Sequence, residues 1–461
     1  MRVDALSEFV VAAAEEVRMP GVAVGVWANG QEAYACHGVT SLENPVPVDR
    51  DTAFLLGSVT KTYTATALMC LVADGQVELT APVRHYLPEL RLADEQATAD
   101  VTVLNLLNHT SGLDWGLIAD TGEGDDALAR YVNRLGELDQ ITPPGRRASF
   151  SQAGFNMAGR ILEKVTGLSY ERAVASLLFE PLGLAHSFFA RDDIMTRRFS
   201  VGHNLGQDDR MHVVRLWRRA RGDNPGGGLA ASVADQVRWA AFHLGDGYVN
   251  GSGRVLPREV LAQMREPTAA LRGSTLGDAI GLGWFLRDID GVRTAGHGGT
   301  ANGQFAELLT APDEEFAVVS LANAGPDGLA FNQTVVRWAL RSYLGVTERD
   351  PEPLPYDEAR TREILGSYEN DAMTIRIGAE SGRLWLAALL RPGLGAAVEK
   401  DLPPDHAPFD VGLLPGDADE YVITRGALRG QRGFFTRAPC GSVVGIDLGG
   451  RLFSRVATEE G

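Results

Sequence analysis

In the stretch FLLGSVTKTYTATALM, Ser58 and Lys61 stand three residues apart where an apolar helical run begins. On a helix that spacing puts both side chains on one face. A helix N-terminus offers unpaired N–H groups and a partial positive charge, which stabilise an oxyanion and help a neighbouring lysine lose its proton. The chemistry would be nucleophilic attack by Ser58 with Lys61 as its base. A bland reading fits the same residues: Ser58 as a helix N-cap, in a Ser-x-x-Lys quartet that arises by chance in most chains of this length.

The elements that must position such a pair are legible in outline. The first twenty residues carry Leu6, Phe9, Val10, Ala13, Ala14 and Val17 at helical spacing, an amphipathic helix rather than the unbroken apolar core of a signal peptide. Two strand-like runs follow, VAVGVWA and QEAYACHG, joined by Asn29-Gly30, a hairpin signal. The helix holding Ser58 and Lys61 ends at Gly75. Helices and Gly/Pro-rich loops fill the middle of the chain until two more strands, QFAELLT and FAVVSLA, flank the turn APDEE. The run FNQTVVRWALRSYL (Phe331–Leu344) predicts a helix. Residues 347–360, TERDPEPLPYDEAR, are charged and carry three prolines, as an interdomain linker does. Beyond it, MTIRIG, RLWLAAL, EYVITRG, SVVGIDL and RLFSRVA alternate with Gly-, Pro- and Asp-bearing turns, predicting a small antiparallel barrel or sandwich.

Bulk composition narrows the function. At 461 residues the chain exceeds what one core sustains, so two domains are expected. A net charge of −17 argues against nucleic acid and anionic membrane surfaces as partners. The exception is RLWRRAR, with Arg215, Arg218, Arg219 and Arg221: either a patch that steers a carboxylate-bearing substrate, or a solvated face paired with local acids. No run approaches the ~18 apolar residues of a membrane span. Three cysteines without a CxxC suit a reducing cytoplasm, where the protein is expected. The nine histidines form no HExxH or His-x-His, and no GxGxxG links a strand to a helix, so neither metal nor cofactor is expected.

Five stretches in order carry a resemblance. They are FLLGSVTKTYTATALMCLVADGQVELTAPVRHYLPEL, VTVLNLLNHTSGL, PGRRASFSQAGFNMAGRILEKVTG, NPGGGLAASVADQVRWAAFHLG and GHGGTANGQFAELLTAPDEEFAVVSLAN. Together they resemble the serine β-lactamase and penicillin-binding-protein superfamily, nearest its class C β-lactamase-like esterases and D-aminopeptidases. The resemblance spans roughly residues 5–345. It implies an α+β fold, with an antiparallel sheet flanked by helices and a helical subdomain at residues 1–346, the linker at 347–360, and a lipocalin-like antiparallel β-barrel domain at 361–461. It makes His109 structural, Ser58 the nucleophile and Lys61 its base. The backbone N–H groups of Ser58 and Thr300 become the oxyanion hole.

The resemblance also exposes a departure. The family carries Tyr-x-Asn in the third stretch, its hydroxyl relaying protons between serine, lysine and leaving group; here Phe150-Ser151-Gln152 stands there. Gln152 still offers an amide, to a substrate carbonyl or to Lys61. Phe150 neither donates nor accepts, and the Ser151 hydroxyl points away if the segment is extended. Three consequences compete: Lys61 works alone with a water in the hydroxyl's place, the substrate brings a good leaving group, or the site is attenuated and binds without turnover. His297-Gly298-Gly299 replaces the family's Lys-Thr-Gly. The glycines allow close approach of a substrate backbone, and His297 exchanges a permanent cation for a mostly neutral group, which weakens carboxylate recognition. Arg451 and Arg455, at i and i+4 on a strand, would share a face toward the site if the barrel covers it. The expected activity is that of a serine hydrolase using an acyl-enzyme on esters, small amides or D-amino-acid peptides. The alternatives are a penicillin-binding-protein-type thioesterase or peptide cyclase, and an attenuated peptide-binding relative.

Overall fold

The computed structural model describes residues 3–456 apart from 118, 207, 218–219, 250–252, 391–407, 417–418 and 427. The chain opens with helix α1 (Val3–Glu16) and the hairpin β1 (Gly21–Ala28) and β2 (Gln31–Gly38). Asn29 and Gly30 both take positive φ, 49° and 76°, as a two-residue hairpin turn requires. Next come α2 (Thr60–Ala73), α3 (Gln152–Thr166) and α4 (Val233–Leu244) among shorter helices and loops. Strands β3 (Ala269–Ala270), β4 (Ala279–Ile280), β5 (Phe285–Ile289), β6 (Val292–Ala301), β7 (Gln304–Ala311) and β8 (Phe316–Ala322) then lead to α5 (Gly328–Ala339).

The two ends of this region share one antiparallel sheet of order β3-β4-β5-β6-β7-β8-β1-β2. Alternation along β1 divides the core. Val22, Val24 and Val26 pack with Leu6 and Val10 of α1 and Phe331 and Val335 of α5. Ala23 faces the other way, into the larger core shared by α2, α3 and α4. Helix α2 is buried nearly all round, with Tyr63 stacked on Trp239 of α4 at 3.9 Å. A wholly buried helix lets its first turn be fixed from every side.

Two expectations shift at the end of this region. Helix α5 starts at Gly328, three residues before the apolar run suggests, and widens into a π turn over Leu340–Leu344. The linker is pinned: Glu348 pairs with Arg287 and with Arg337, and Leu354 N–H donates to Leu413 O at 2.8 Å. Its last residues already form a helix, α6 (Glu358–Ile364), capped by Asp357, whose carboxylate accepts from Ala359 and Arg360 N–H. The prolines upstream mask that start.

The rest is a closed antiparallel barrel of eight strands: β9 (Gly366–Glu369), β10 (Met373–Glu380), β11 (Arg383–Leu390), β12 (Phe409–Leu413), β13 (Glu420–Ile423), β14 (Arg432–Arg437), β15 (Val443–Leu448) and β16 (Arg451–Arg455). Closure is made by β16 pairing back on β9, Arg455 opposite Tyr368. Its interior is filled by Tyr368, Ile375, Leu386, Tyr421, Phe435 and Phe453. The fold is thus α+β with an appended antiparallel barrel. Among the described residues no helix is long and apolar enough to cross a membrane.

Candidate active site

Ser58 lies in a single 3-10 turn, Gly57–Val59, that runs straight into α2. It is not a cap: the residue before α2 is Val59, and no side chain caps either helix start. Instead Thr60 Oγ1 donates to Gly57 O at 2.6 Å and accepts from Leu229 N–H at 3.2 Å, tying the turn to the glycine-rich loop.

The turn is pressed against β6. A Cβ on Gly299 would lie 1.9 Å from Leu56 O and 2.8 Å from Ser58 N; one on Gly57, where φ is +50°, would lie 2.6 Å from Thr300 N. Only glycines let the two backbones cross this closely. The crossing brings the backbone nitrogens of Ser58 and Thr300 each up against the opposite segment's glycine.

Lys61 is fully buried, and its Nζ lies within hydrogen-bond distance of Ser58 Oγ at 3.2 Å, Gln152 Oε1 at 2.7 Å and Gly226 O at 2.6 Å. The Phe150 and Phe155 ring centres lie 4.6 and 5.6 Å from it. Gln152 opens α3 because Ser151 caps that helix, its Oγ accepting from Gly154 N–H at 3.1 Å. Gln152 Nε2 leans on Asp223 O at 3.5 Å, so its oxygen faces the lysine. The amide therefore serves Lys61. Gly226 is the residue the sequence reading passed over. A Cβ there would sit 2.1 Å from Gln152 Nε2, and its N–H donates to Asn156 Oδ1 at 3.1 Å. The run Gly226-Gly227-Gly228 was the available signal: three glycines together mark a backbone that something must approach.

Two histidines border the Phe150 ring. His109 has φ +59° and its Nδ1 accepts from Ser151 N–H at 3.0 Å, so it holds the start of α3 in place. Burial above all pushes its pKa well below the ordinary value. His297 is 3% exposed; its Nδ1–H donates to Gly298 O at 2.6 Å, and burial above all pushes its pKa down to about 3. Its Nε2 is buried and meets no donor among the described residues, an arrangement that costs about 1–3 kcal/mol unless something else satisfies it.

The barrel reaches this site through the β15–β16 turn. Phe150 N–H donates to Gly450 O at 2.8 Å, and the Arg451 guanidinium lies 5.0 Å from the Trp115 ring centre and 5.5 Å from that of Phe150. Arg455 does not join it. It shares the face of Arg451, but ~13 Å of strand separates them, and Arg455 binds the carbonyls of Glu363, Leu365 and Val443 at the other end of the barrel. Of the basic cluster, Arg215 pairs with Glu43, and Arg221 with Glu171 and Asp125; these two are tied to local acids. Arg218 and Arg219 lie outside the described residues. No grouping of His, Cys, Asp and Glu among the described residues could hold a metal ion.

A serine on a helix-leading turn, a buried lysine beside it and a glycine-lined sheet edge across from both define a recognisable class of fold and site. The chain belongs to the β-lactamase family, whose match covers residues 6–339. Penicillin-binding protein 4 of Amycolatopsis lactamdurans is 35% identical over 366 residues, 77% of this chain and 94% of that protein. Esterase EstB of Burkholderia gladioli is 28% identical over 328 residues, 62% of this chain and 81% of that one. The crystal structure of SurE with D-Leu superposes with a TM-score of 0.71 at 25% identity, covering 98% of this chain and 99% of that one, barrel included.

Proposed function

We propose that the protein is a serine hydrolase that works through an acyl-enzyme on Ser58, taking esters, small amides or D-amino-acid peptides. The observation that carries this is the environment of Lys61 Nζ. Gln152 Oε1 and Gly226 O can only accept, so each takes one N–H of the lysine. A neutral amine has two hydrogens to give and a single lone pair, which is then left facing Ser58 Oγ at 3.2 Å. Ser58 attacks the substrate carbonyl while its proton passes to Lys61. The ammonium so formed keeps all three contacts and gains the face of Phe150, which favours a cation. Lys61 then returns the proton to the leaving group, doing alone what the family shares with a tyrosine. The Ser58 and Thr300 N–H groups receive the oxyanion, and Gly298 and Gly299 leave room for the substrate backbone.

A second reading, transfer of the acyl group to an amine, draws support from the barrel. Its turn sets Arg451 beside Trp115 and Phe150, where an acceptor's carboxylate could be held, and the full-length likeness to SurE, crystallised with D-Leu, points the same way. The test is intact-protein mass after exposure to a fluorophosphonate and to a p-nitrophenyl ester, with Ser58→Ala alongside. A mass gain absent in the variant supports both readings. No gain on folded protein sinks both and leaves a cleft that binds without turnover.

A further inference from the structure

His297 holds a group that this mechanism has not used. Because Nδ1–H donates to Gly298 O, the neutral ring carries a bare lone pair on Nε2. That atom is buried, and no donor among the described residues reaches it. The rings nearest the imidazole are Phe285 and Phe150, at 4.8 and 6.1 Å between centroids. The depressed pKa keeps the imidazole neutral throughout the ordinary pH range, so the lone pair is always presented. An acceptor is therefore held ready beside Phe150, which brings no hydroxyl to the site.

Resting on the acyl-enzyme reading, we propose that His297 Nε2 accepts a hydrogen bond from the nucleophile that resolves the acyl-enzyme, and thereby selects nucleophiles bearing two hydrogens. Water and a primary amine qualify. The nucleophile's lone pair attacks the acyl carbon, the new bond to carbon forms, and the bond from carbon to Ser58 Oγ breaks. One hydrogen passes as a proton to Lys61 Nζ and from there to Oγ, restoring the serine. The second stays on the nucleophile, held by Nε2 throughout, and leaves with the product as the O–H of a carboxylic acid or the N–H of an amide. An alcohol or a secondary amine has one hydrogen and cannot satisfy Lys61 and His297 together. A carboxylate or ether oxygen would meet the lone pair with another lone pair and is disfavoured. Phe150 and Phe285 cover the imidazole, 8% and 5% exposed, so the nucleophile must reach Nε2 past these rings.

The experiment is a partition measurement. The protein is acylated with a p-nitrophenyl ester, and the acyl group is divided between water and equal concentrations of free propylamine or N-methylpropylamine, with methanol in a separate arm. Wild type is expected to prefer the primary over the secondary amine by about tenfold more than His297→Phe does, and to use methanol poorly relative to water. His297→Gln, which keeps an acceptor, should retain part of the preference. Thermal melting of each variant checks that it is folded. The proposal is overturned if His297→Phe leaves the primary-to-secondary ratio unchanged, or if wild type takes methanol and the secondary amine as readily as their partners. Absence of any acyl adduct on wild type would instead sink the acyl-enzyme reading itself, and this proposal with it.

Discussion

The main-chain N–H of Phe150 donates to the carbonyl of Gly450 at 2.8 Å, so the residue standing where the family keeps its tyrosine is held in place by the barrel. The same junction has Leu452 N–H on Ser149 Oγ at 3.4 Å, Arg147 Nη2 on Thr436 Oγ1 at 2.8 Å and Asp371 N–H on Asp114 Oδ2 at 2.9 Å. Ser149 to Gln152 form one short segment, with the barrel gripping its first half and Lys61 its last residue. The Gln152–Lys61 contact and barrel docking are therefore coupled through two peptide units.

From this coupling follows a substrate-dependent effect of Arg451. Arg451→Ala should raise KM about tenfold for an acyl donor or acceptor bearing a carboxylate, and change turnover of a neutral p-nitrophenyl ester by less than about threefold. Steady-state kinetics on a matched pair of substrates reads the difference. Equal losses on both would mean that Arg451 only props up the Phe150 and Trp115 rings.

Acidity acts on the same junction. Burial and the neighbouring Asp114 raise the Asp371 pKa to about 6, and burial raises that of Asp447, just before the docking turn, to about 8. A carboxyl whose pKa is higher folded than unfolded binds its proton more tightly in the folded state. Stability from these groups is thus complete below the unfolded value near 4 and falls as pH rises, through about 6 for Asp371 and about 8 for Asp447. Melting temperature should decline between pH 5 and 8.5, and Asp447→Asn should flatten the decline by about 2–4 °C while changing little at pH 5. A slope identical in variant and wild type would remove Asp447 from the account.

Glycine 226 is the site's least forgiving position. Gly226→Ala places a methyl 2.1 Å from Gln152 Nε2, so either the glutamine or the loop carbonyl must leave Lys61. Loss of one acceptor lets the lysine turn from Ser58, and acylation should slow by about 10²-fold. Stopped-flow release of p-nitrophenol measures it, with melting temperature as the control for folding. An unchanged burst would show that one acceptor suffices.

What the sequence made legible divides along a physical line. Ser58 and Lys61 could be paired because three residues of helix fix their separation locally, and Asn29-Gly30 fixed its hairpin for the same reason. The start of α3 went unread: Ser151 caps it and so aims Gln152 at Lys61. Strands β9, β12 and β14 went unread: GSYE, FDVGL and RGFFTR are short and broken by glycine or aspartate, and they become strands because neighbours on both sides pair with them. The Phe150–Gly450 contact lies at the far limit, joining residues three hundred positions apart. Alternation shows that Arg451 and Arg455 share a face, but not which end of the barrel meets the site.

Phe150 offers the sharpest trial of the proton path. Its ring lies 4.6 Å from Lys61 Nζ and borders His297, so Phe150→Tyr adds a hydroxyl to the ring that flanks both. If Lys61 now carries every proton, a second relay should help most where the leaving group cannot depart without one. Amide hydrolysis should rise about tenfold or more, toward the ~10²–10⁴ that general acid–base help supplies. Hydrolysis of an activated ester, whose leaving group needs no proton, should change by less than about threefold. Parallel kcat/KM measurements on an anilide and a p-nitrophenyl ester of the same acyl group decide it. Equal gains, or none, would mean that the ring's place has been taken over for another purpose, most directly for seating the Arg451 guanidinium that lies 5.5 Å from its centre.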